Sequence, residues 1–167
     1  KIRGQKADEF PIIPVIDEAE KESLNLPSAQ LKQALVQTTH ATSYDEMRPE
    51  INGVLFNISQ KELIVVATDS YRLSEKKLHL KKIQNNKKVI VPLTALQEIE
   101  RVLGSNSEQV GVFLEENQVM FIIKPTVIVS RIIEGNFPDY QQIIPSGHTT
   151  IVKIDKNDLI QATRAAA

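Results

Sequence analysis

The sequence predicts an α+β fold of two pseudo-symmetric halves, each a strand, a helix and three antiparallel strands, with the helices packed on one side of the sheets. The main observation is a strand–proline–helix unit that recurs along the chain. Pro27 ends an apolar run and a helical stripe begins at Leu31; Pro92 and Leu96 repeat this arrangement, each at the same interval from its counterpart. Proline suits a helix start because its missing N–H would have no partner there. A third stripe begins at Leu159, after nearly the same interval again.

A second pair of landmarks supports the longer period, that from Leu31 to Leu159. Apolar stretches that contain proline follow both Phe10 and Phe137, and the separation of these two phenylalanines matches the longer period to within a single position. Two unrelated features therefore give nearly the same offset, and this offset is longer than the repeats of stacked arrays. We interpret it as a duplicated domain. The expected organisation is the tail of a preceding domain and a connector at 1–17, a complete domain at 18–146, and the opening strand and helix of a truncated following domain at 147–167.

Composition excludes several classes of protein. The 167 residues are 41% apolar, which is enough to fill a core, and 20 basic residues balance 21 acidic ones. This balance argues against a protein that coats nucleic acid through bulk positive charge. The absence of cysteine excludes disulfides and thiolate metal sites, and fits a reducing compartment. We see no apolar run of membrane-spanning length and no signal peptide, so we expect a cytoplasmic protein without a membrane partner.

The first half is predicted to contain one helix and four strands. Apolar periodicity indicates a strand from Glu18 to Leu26 and a helix that starts at Ser28 and ends by Thr42. Three runs rich in β-branched and apolar residues then predict strands at Ile51–Ile58, Glu62–Thr68 and Tyr71–Leu80. The apolar parity changes within the last of these strands, which predicts a bulge near Glu75–Lys77.

The second half repeats this order. A polar loop, Lys81–Lys88, precedes the second unit, whose helix is predicted to stop at Gly104. Three alternating runs then predict strands, with a tight turn at Glu116–Asn117 after the first of them. The strands are Val110–Leu114, Val119–Ile123 and Val127–Ile133. If both apolar stripes pack on the sheets, the opposite faces of the two helices share one surface.

The outward faces of the two helices differ in charge. The first carries Lys32, Gln33, Val36, Gln37 and His40, with no acid among them. Amides and cations without carboxylates suit a polyanion that is bound with little sequence reading. The second helix carries Gln97, Glu98 and Arg101, a mixed set. The alternative, a solvated helix face, has equal support from the sequence.

Three motifs give the chain a family resemblance. ATDSYRL at 67–73 follows an apolar strand, INGVLF precedes it at 51–56, and EGNFPDY follows it at 134–140. In this order they closely resemble the middle domain of the bacterial sliding clamp, the beta subunit of DNA polymerase III, and imply its DNA clamp fold. The flanks agree, because Lys1–Pro14 looks like the end of the family's first domain and Thr149–Ala167 like the opening of its third.

The resemblance implies a role in DNA replication. The family's fold implies a ring of two chains with three similar domains each, in which helices line a hole around double-stranded DNA. The contact is sequence-independent, so the ring slides and keeps polymerase tethered. The implied function is a processivity factor: a non-catalytic accessory subunit of a DNA-directed DNA polymerase, without cofactor or metal, and a homodimer ring when full length. The residues that would face DNA are Lys32, Gln33, Gln37, His40 and Arg101.

The resemblance also implies a peptide-binding pocket between the middle and third domains. Its implied partners are the DNA polymerase III alpha subunit, the clamp loader, and other DNA polymerases and repair proteins, all through short peptide motifs. The implied pocket residues are Ile51, Thr68, Ser70, Tyr71, Arg72, Leu73, Pro138, Gln142 and Ile143.

The side chains of this set suit peptide binding. The apolar members can receive leucine-like anchors, whereas Thr68 and Arg72 can hydrogen-bond a peptide backbone or a carboxylate. Tyr71 and Gln142 stand where relatives often carry histidine and arginine, which shifts the charge of the pocket. The far wall belongs to the third domain, most of which this sequence lacks. We therefore expect weaker peptide binding than in a full-length chain.

Two other functions compete with this interpretation. A hydrolase would use Ser70, but no Gly-x-Ser-x-Gly elbow surrounds it, and His40, His79 and His148 have neither triad nor metal spacing. A protein-interaction module without a DNA role would fit the pocket residues equally well. The run Lys81, Lys82, Lys87 and Lys88 is consistent with a solvated loop or with phosphate contact.

Overall fold

The computed structural model describes residue 4 and residues 23–45, 47–80, 86–103 and 109–166. The chain divides into two compact units between Phe137 and Pro138. The helices and longer strands, in chain order, are β1 (Ser23–Pro27), α1 (Ser28–Thr38), β2 (Gly53–Ile58), β3 (Glu62–Thr68), β4 (Leu73–His79), β5 (Lys87–Pro92), α2 (Leu93–Val102), β6 (Gln109–Leu114), β7 (Gln118–Ile123), β8 (Thr126–Arg131) and α3 (Lys156–Ala166). Short 3-10 turns occur at Thr39–Ala41, Pro49–Ile51 and Tyr140–Gln142.

The first unit contains two four-stranded antiparallel sheets, which confirms the predicted α+β class. Their strand orders are β1-β6-β7-β8 and β4-β3-β2-β5. The first strand of each half therefore joins the sheet built by the other half. The sequence predicted the order of elements but not this exchange. It ties the halves together, because α1 leaves β1 in one sheet and packs against β3 and β4 of the other.

The halves keep a common spacing only through the first strand and the helix. Leu24 pairs with Val112, and Phe56 pairs with Val89. Leu24 and Val89 are separated by the same interval as Pro27 and Pro92, so they are equivalent positions in the two halves. Their strand partners, Val112 and Phe56, are therefore equivalent as well, but the interval between these two partners is shorter. The connection after the helix is thus longer in the first half than in the second. This longer connection contains Arg48, which reaches the candidate site.

One hydrophobic core lies beneath both helices. The buried stripe of α1 and that of α2 belong to the same cluster, together with residues of both sheets. Phe56 of β2 and Phe121 of β7 both belong to this core and meet edge to face, with ring centroids 6.3 Å apart. The two helices also contact each other. Their exposed faces therefore share one side of the unit, as the sequence predicted.

Both helices begin after a proline, as expected. Pro27 and Pro92 occupy the N-cap positions, with φ of −59° and −55°. The first helix ends earlier than Thr42, because its α-helical part stops at Thr38 and a 3-10 turn follows. The Thr38 hydroxyl donates to the Ala34 carbonyl (2.8 Å) and that of Thr39 to Leu35 (2.9 Å). Such back-bonding competes with regular helix geometry and accounts for the early end.

The predicted bulge in β4 is wrong. Pairing between β3 and β4 runs without interruption from Thr68↔Leu73 to Glu62↔His79. The parity changes because Leu78 joins the core, whereas Leu73 lies on the opposite face of the same strand. The strand also begins at Leu73 and not at Tyr71, since the preceding residues form a turn. Leu73 is therefore kept outside the main core.

The second unit is small and largely exposed. Residues 151–154, which lie in the segment where the opening strand of the following domain is predicted, have no regular structure, and among the described residues they pair with no strand. A strand needs a neighbour for its backbone groups. Helix α3 confirms the predicted helix, and Asp155 caps it, because its Oδ1 accepts the N–H of Asn157 at 2.8 Å. Expectations for residues 1–17 apart from Gly4, and those for 18–22, 81–85 and Gly104, lie outside the described residues.

Candidate partner-binding turn and helix surface

A four-residue turn, Asp69–Arg72, connects β3 to β4 and carries most of the predicted pocket motif. Thr68 and Leu73 pair directly on its two sides. The Asp69 carboxylate organises the turn, because its Oδ1 accepts the backbone N–H groups of Tyr71 (3.0 Å) and Arg72 (2.9 Å). This arrangement is an Asx-type turn, which aspartate favours over most residues.

The charge of Asp69 is stabilised by the turn. The backbone N–H of Arg72 holds the pKa of the Asp69 carboxyl below its usual value of 3.8; desolvation opposes this, and the Tyr71 N–H and the Arg72 guanidinium lower the pKa further. The Arg72 Nε lies 3.0 Å from Oδ2 of Asp69. One edge of the guanidinium is therefore engaged within the turn, while its side chain stays 60% exposed.

The Thr68 side chain stabilises the turn through two hydrogen bonds. Its hydroxyl donates to the Arg72 carbonyl at 2.8 Å and accepts the Ser70 N–H at 3.1 Å. The residue is only 6% exposed. The hydroxyl proton that we expected to be available for a peptide is thus used to fix the turn. Ser70 has a φ of +77°, a left-handed conformation that few residues other than glycine adopt and that this local bonding maintains.

Arg48 braces the turn from a distant part of the sequence. Its Nη1 donates to Oγ of Ser70 at 2.6 Å, and its Nε lies 3.4 Å from the Glu50 carboxylate. Nothing in the sequence distinguishes Arg48, since no motif or spacing links it to a residue so far along the chain. The group that contacts the Ser70 hydroxyl is therefore a cation that cannot act as a general base.

The predicted pocket residues occupy different environments. In the first unit, Tyr71 is 98% exposed, Leu73 is half-buried on the outer face of β4, and Ile51 is buried at 1% exposure. In the second unit, Pro138 is half-buried and Ile143 is exposed. Gln142 is exposed as well, and its side-chain amide donates to Asp139 at 2.7 Å.

The second candidate feature is the helix surface, which we define as the exposed residues of α1, its following 3-10 turn and α2. Its larger side chains include Gln33, Val36, Gln37, His40, Gln97, Glu98 and Arg101. Lys32, also predicted to face outward, is half-buried. Helix α2 contacts both α1 and the 3-10 turn that contains His40. The surface is therefore continuous, rich in amides and nearly neutral.

A shallow cleft of about 540 Å³ lies at the end of β3 and β4 remote from the turn. It is lined by Ser59, Gln60, Lys61, Glu62, His79 and Asn86. Within the described ranges, no group of three or more potential ligands could hold a metal ion. Nor does any helix in that part of the chain have the length and apolarity to cross a bilayer.

The fold is a duplicated α+β domain that presents an exposed turn and an exposed helix surface. The sequence model of the "DNA polymerase III beta subunit, central domain" matches residues 25–139. The chain therefore belongs to the family of DNA polymerase III beta subunits, of which it contains the central domain.

Curated relatives and solved structures agree. The beta sliding clamp of Staphylococcus aureus is 33% identical over 99% of this chain, and that of Staphylococcus epidermidis is 32% identical over the same share. The chain covers 44% of each relative. The crystal structure of the DNA polymerase sliding clamp from Bacillus subtilis superposes with a TM-score of 0.92 at 34% identity, over 97% of this chain and 42% of that one. The crystal structure of the DNA polymerase III beta chain from Streptococcus pneumoniae superposes with a TM-score of 0.89 at 34% identity, over 99% of this chain and 44% of that one.

Proposed function

We propose that this chain is the central part of a replicative sliding clamp, a processivity factor that encircles duplex DNA and slides along it in the cytoplasm. In this proposal the complete central domain spans 18–146, with pieces of its neighbours at 1–17 and 147–167. It has no catalytic role. Its full-length form is a homodimeric ring that tethers DNA polymerase III, the clamp loader and other polymerases and repair proteins through short peptides.

The observation that carries the proposal is the continuous helix surface. Both helices share one core and contact each other, so their exposed faces can line one side of a hole. Lys32, Gln33, Gln37, His40 and Arg101 are the residues that we assign to the DNA side. A protein that neutralises many phosphates binds DNA tightly and with strong salt dependence. A surface rich in amides with few cations favours the opposite behaviour, which suits sliding.

A peptide-binding role for the Asp69–Arg72 turn is supported by its rigidity and exposure. The bonds from Asp69 and Thr68 fix the backbone of the turn and Arg48 holds the Ser70 side chain, so little conformational entropy remains to be lost on binding. Tyr71 offers a large exposed ring, and exposed aromatics are enriched at binding hot spots. The Nη groups of Arg72 remain as donors for a carboxylate or a backbone carbonyl. The roles of Ile51, Pro138, Gln142 and Ile143 stay predictions.

A chimera tests the encirclement. The region of the Bacillus subtilis sliding clamp that matches this chain is replaced by residues 1–167, and the chimera is loaded onto nicked circular DNA by a cognate clamp loader. Gel filtration separates DNA-bound from free protein. We expect the chimera to stay with the circle and to be lost after a restriction enzyme linearises it, because topology and not affinity retains it.

The unmodified Bacillus subtilis clamp is the matched control. A chimera that folds and dimerises like the control, yet is never retained on circular DNA, would overturn the proposal. Retention that survives linearisation would also contradict it, because it would indicate tight phosphate binding. A chimera that binds clamp-binding peptides but not circles would favour the alternative of a protein-interaction module without a DNA role.

A further inference from the structure

The two helices differ in how charge is balanced at the helix surface. Residues 28–42 contain no Asp or Glu, whereas α2 presents Glu98 and Arg101 next to each other. The Arg101 Nε lies 3.0 Å from Oε2 of Glu98, and its Nη2 contacts the same oxygen. Both side chains nevertheless remain accessible, at 76% exposed for Arg101 and 57% for Glu98. The cation on α2 is therefore partly neutralised by a neighbour while it still faces solvent.

We propose that Glu98 competes with DNA phosphate for the guanidinium of Arg101, so that this residue binds the duplex only weakly. The inference rests on the proposed encirclement of DNA and gives Glu98 a specific role there. A carboxylate and a phosphate use the same planar donors of arginine, so the two contacts exclude each other at those donors. Exposed ion pairs of this type are weak. The pair can therefore open when a phosphate approaches and close again when it leaves.

This exchange provides a physical reason for an acid on a surface that faces a polyanion. An arginine without an acidic neighbour is hydrated only by water after it leaves a phosphate, whereas Arg101 can pair again with the Glu98 carboxylate. The carboxylate thus lowers the free energy of the released state and weakens the phosphate contact. Each fully formed phosphate contact adds roughly 0.9 to the slope of log affinity against log salt concentration. Glu98 is expected to keep Arg101 well below that contribution.

The test uses this chain and a 20-base-pair duplex. NMR titrations at two salt concentrations follow the backbone amides of the helix surface and the Arg101 Nε–H signal, which report even weak binding. We expect Glu98→Gln to raise duplex affinity by about two- to fivefold at low salt, the range set by the strength of an exposed pair. The salt dependence should steepen, by at most roughly 0.9 in slope. Glu116→Gln, in the turn between β6 and β7, makes the same charge change away from the helix surface and should have little effect.

A double variant separates competition from simple repulsion. If Glu98 acts through Arg101, Glu98→Gln has no effect on duplex affinity in an Arg101→Gln background. An equal gain in both backgrounds would mean that Glu98 only repels DNA, and would overturn the inference. Circular dichroism confirms that each variant is folded.

The titrations also distinguish this inference from the function on which it depends. If helix-surface amides shift with duplex in the wild type but Glu98→Gln binds no more tightly, the competition is refuted and the DNA role stands. If no helix-surface signal of any variant responds to duplex at low salt, the DNA-facing assignment itself fails.

Discussion

Replacement of Thr68 by valine tests whether the side-chain bonds under the turn hold it in place. Valine keeps the shape and β-branching of threonine but removes the hydroxyl, which donates to the Arg72 carbonyl and accepts the Ser70 N–H. Each hydrogen bond contributes about 0.5–1.5 kcal/mol net. The Arg72 carbonyl keeps a longer bond, at 3.4 Å, from the Asp69 N–H, and Ser70 is exposed enough to reach water. We therefore expect a loss of about 1–2 kcal/mol in the free energy of unfolding.

Urea denaturation followed by circular dichroism measures this loss, since the chain has no tryptophan to report by fluorescence. The control is Thr126→Val, the same substitution at an exposed strand position, which should change stability by less than about 0.5 kcal/mol. Hydrogen exchange at the Ser70 and Arg72 amides should accelerate in Thr68→Val alone. If that variant unfolds at the same urea concentration as the wild type and its turn amides exchange no faster, the hydroxyl does not support the turn.

Four further outcomes are expected. Gly53→Ala should destabilise the chain by about 1–3 kcal/mol in the same urea assay, because a Cβ there would lie 2.6 Å from the Val91 carbonyl oxygen. The control is Gly147→Ala, which should be neutral because a Cβ there would have nothing within 4 Å. Equal urea midpoints for the two variants would refute the clash at Gly53. The pKa of Asp69 is lowered in the folded state, so its contribution to the free energy of unfolding should be complete above its unfolded pKa near 3.8 and should fall as the pH drops through the lower folded pKa. Asp69→Asn should remove this pH dependence of stability. Acid titrations of the variant that coincide with those of the wild type would contradict the prediction. Sedimentation equilibrium should show a monomer, because the family resemblance implies that the ring closes through the first and third domains; a stable dimer would contradict this expectation. A clamp-binding peptide should bind this chain much more weakly than the chimera in a fluorescence titration, whereas equal affinities would show that the missing wall does not matter.

Local features of the site were accessible from the sequence to different degrees. The motif at 67–73 located the turn, and the helical periodicity identified the outward helix positions apart from Lys32, which is half-buried. The turn's bracing by Arg48 was not accessible, since it joins distant positions of the chain through folding alone. The hydroxyl of Thr68 was expected to serve a partner, but its two neighbours in the folded turn already use it. Hydrogen-bond partners depend on geometry that residue types do not specify.

The bulge prediction shows a related limit. The change of apolar parity along β4 predicts a bulge near Glu75–Lys77 when only one face of the strand is taken to be buried. In the structure the strand is regular, and its apolar residues serve two faces: Leu78 enters the core and Leu73 lies on the other side. Apolar periodicity shows that apolar residues alternate along a strand, but it does not show whether one face or both faces of the strand are buried.

The sequence by itself determined where the helices begin after Pro27 and Pro92 and which apolar stripe each helix buries. It also determined that the strand–proline–helix unit is repeated. These follow from backbone restrictions and apolar periodicity, which act over a few residues. The tertiary structure alone decided that β1 and β5 exchange sheets, and that the connection after α1 reaches the turn. Both depend on contacts between distant segments, whose free energy is gained only when the whole core assembles around Phe56 and Phe121.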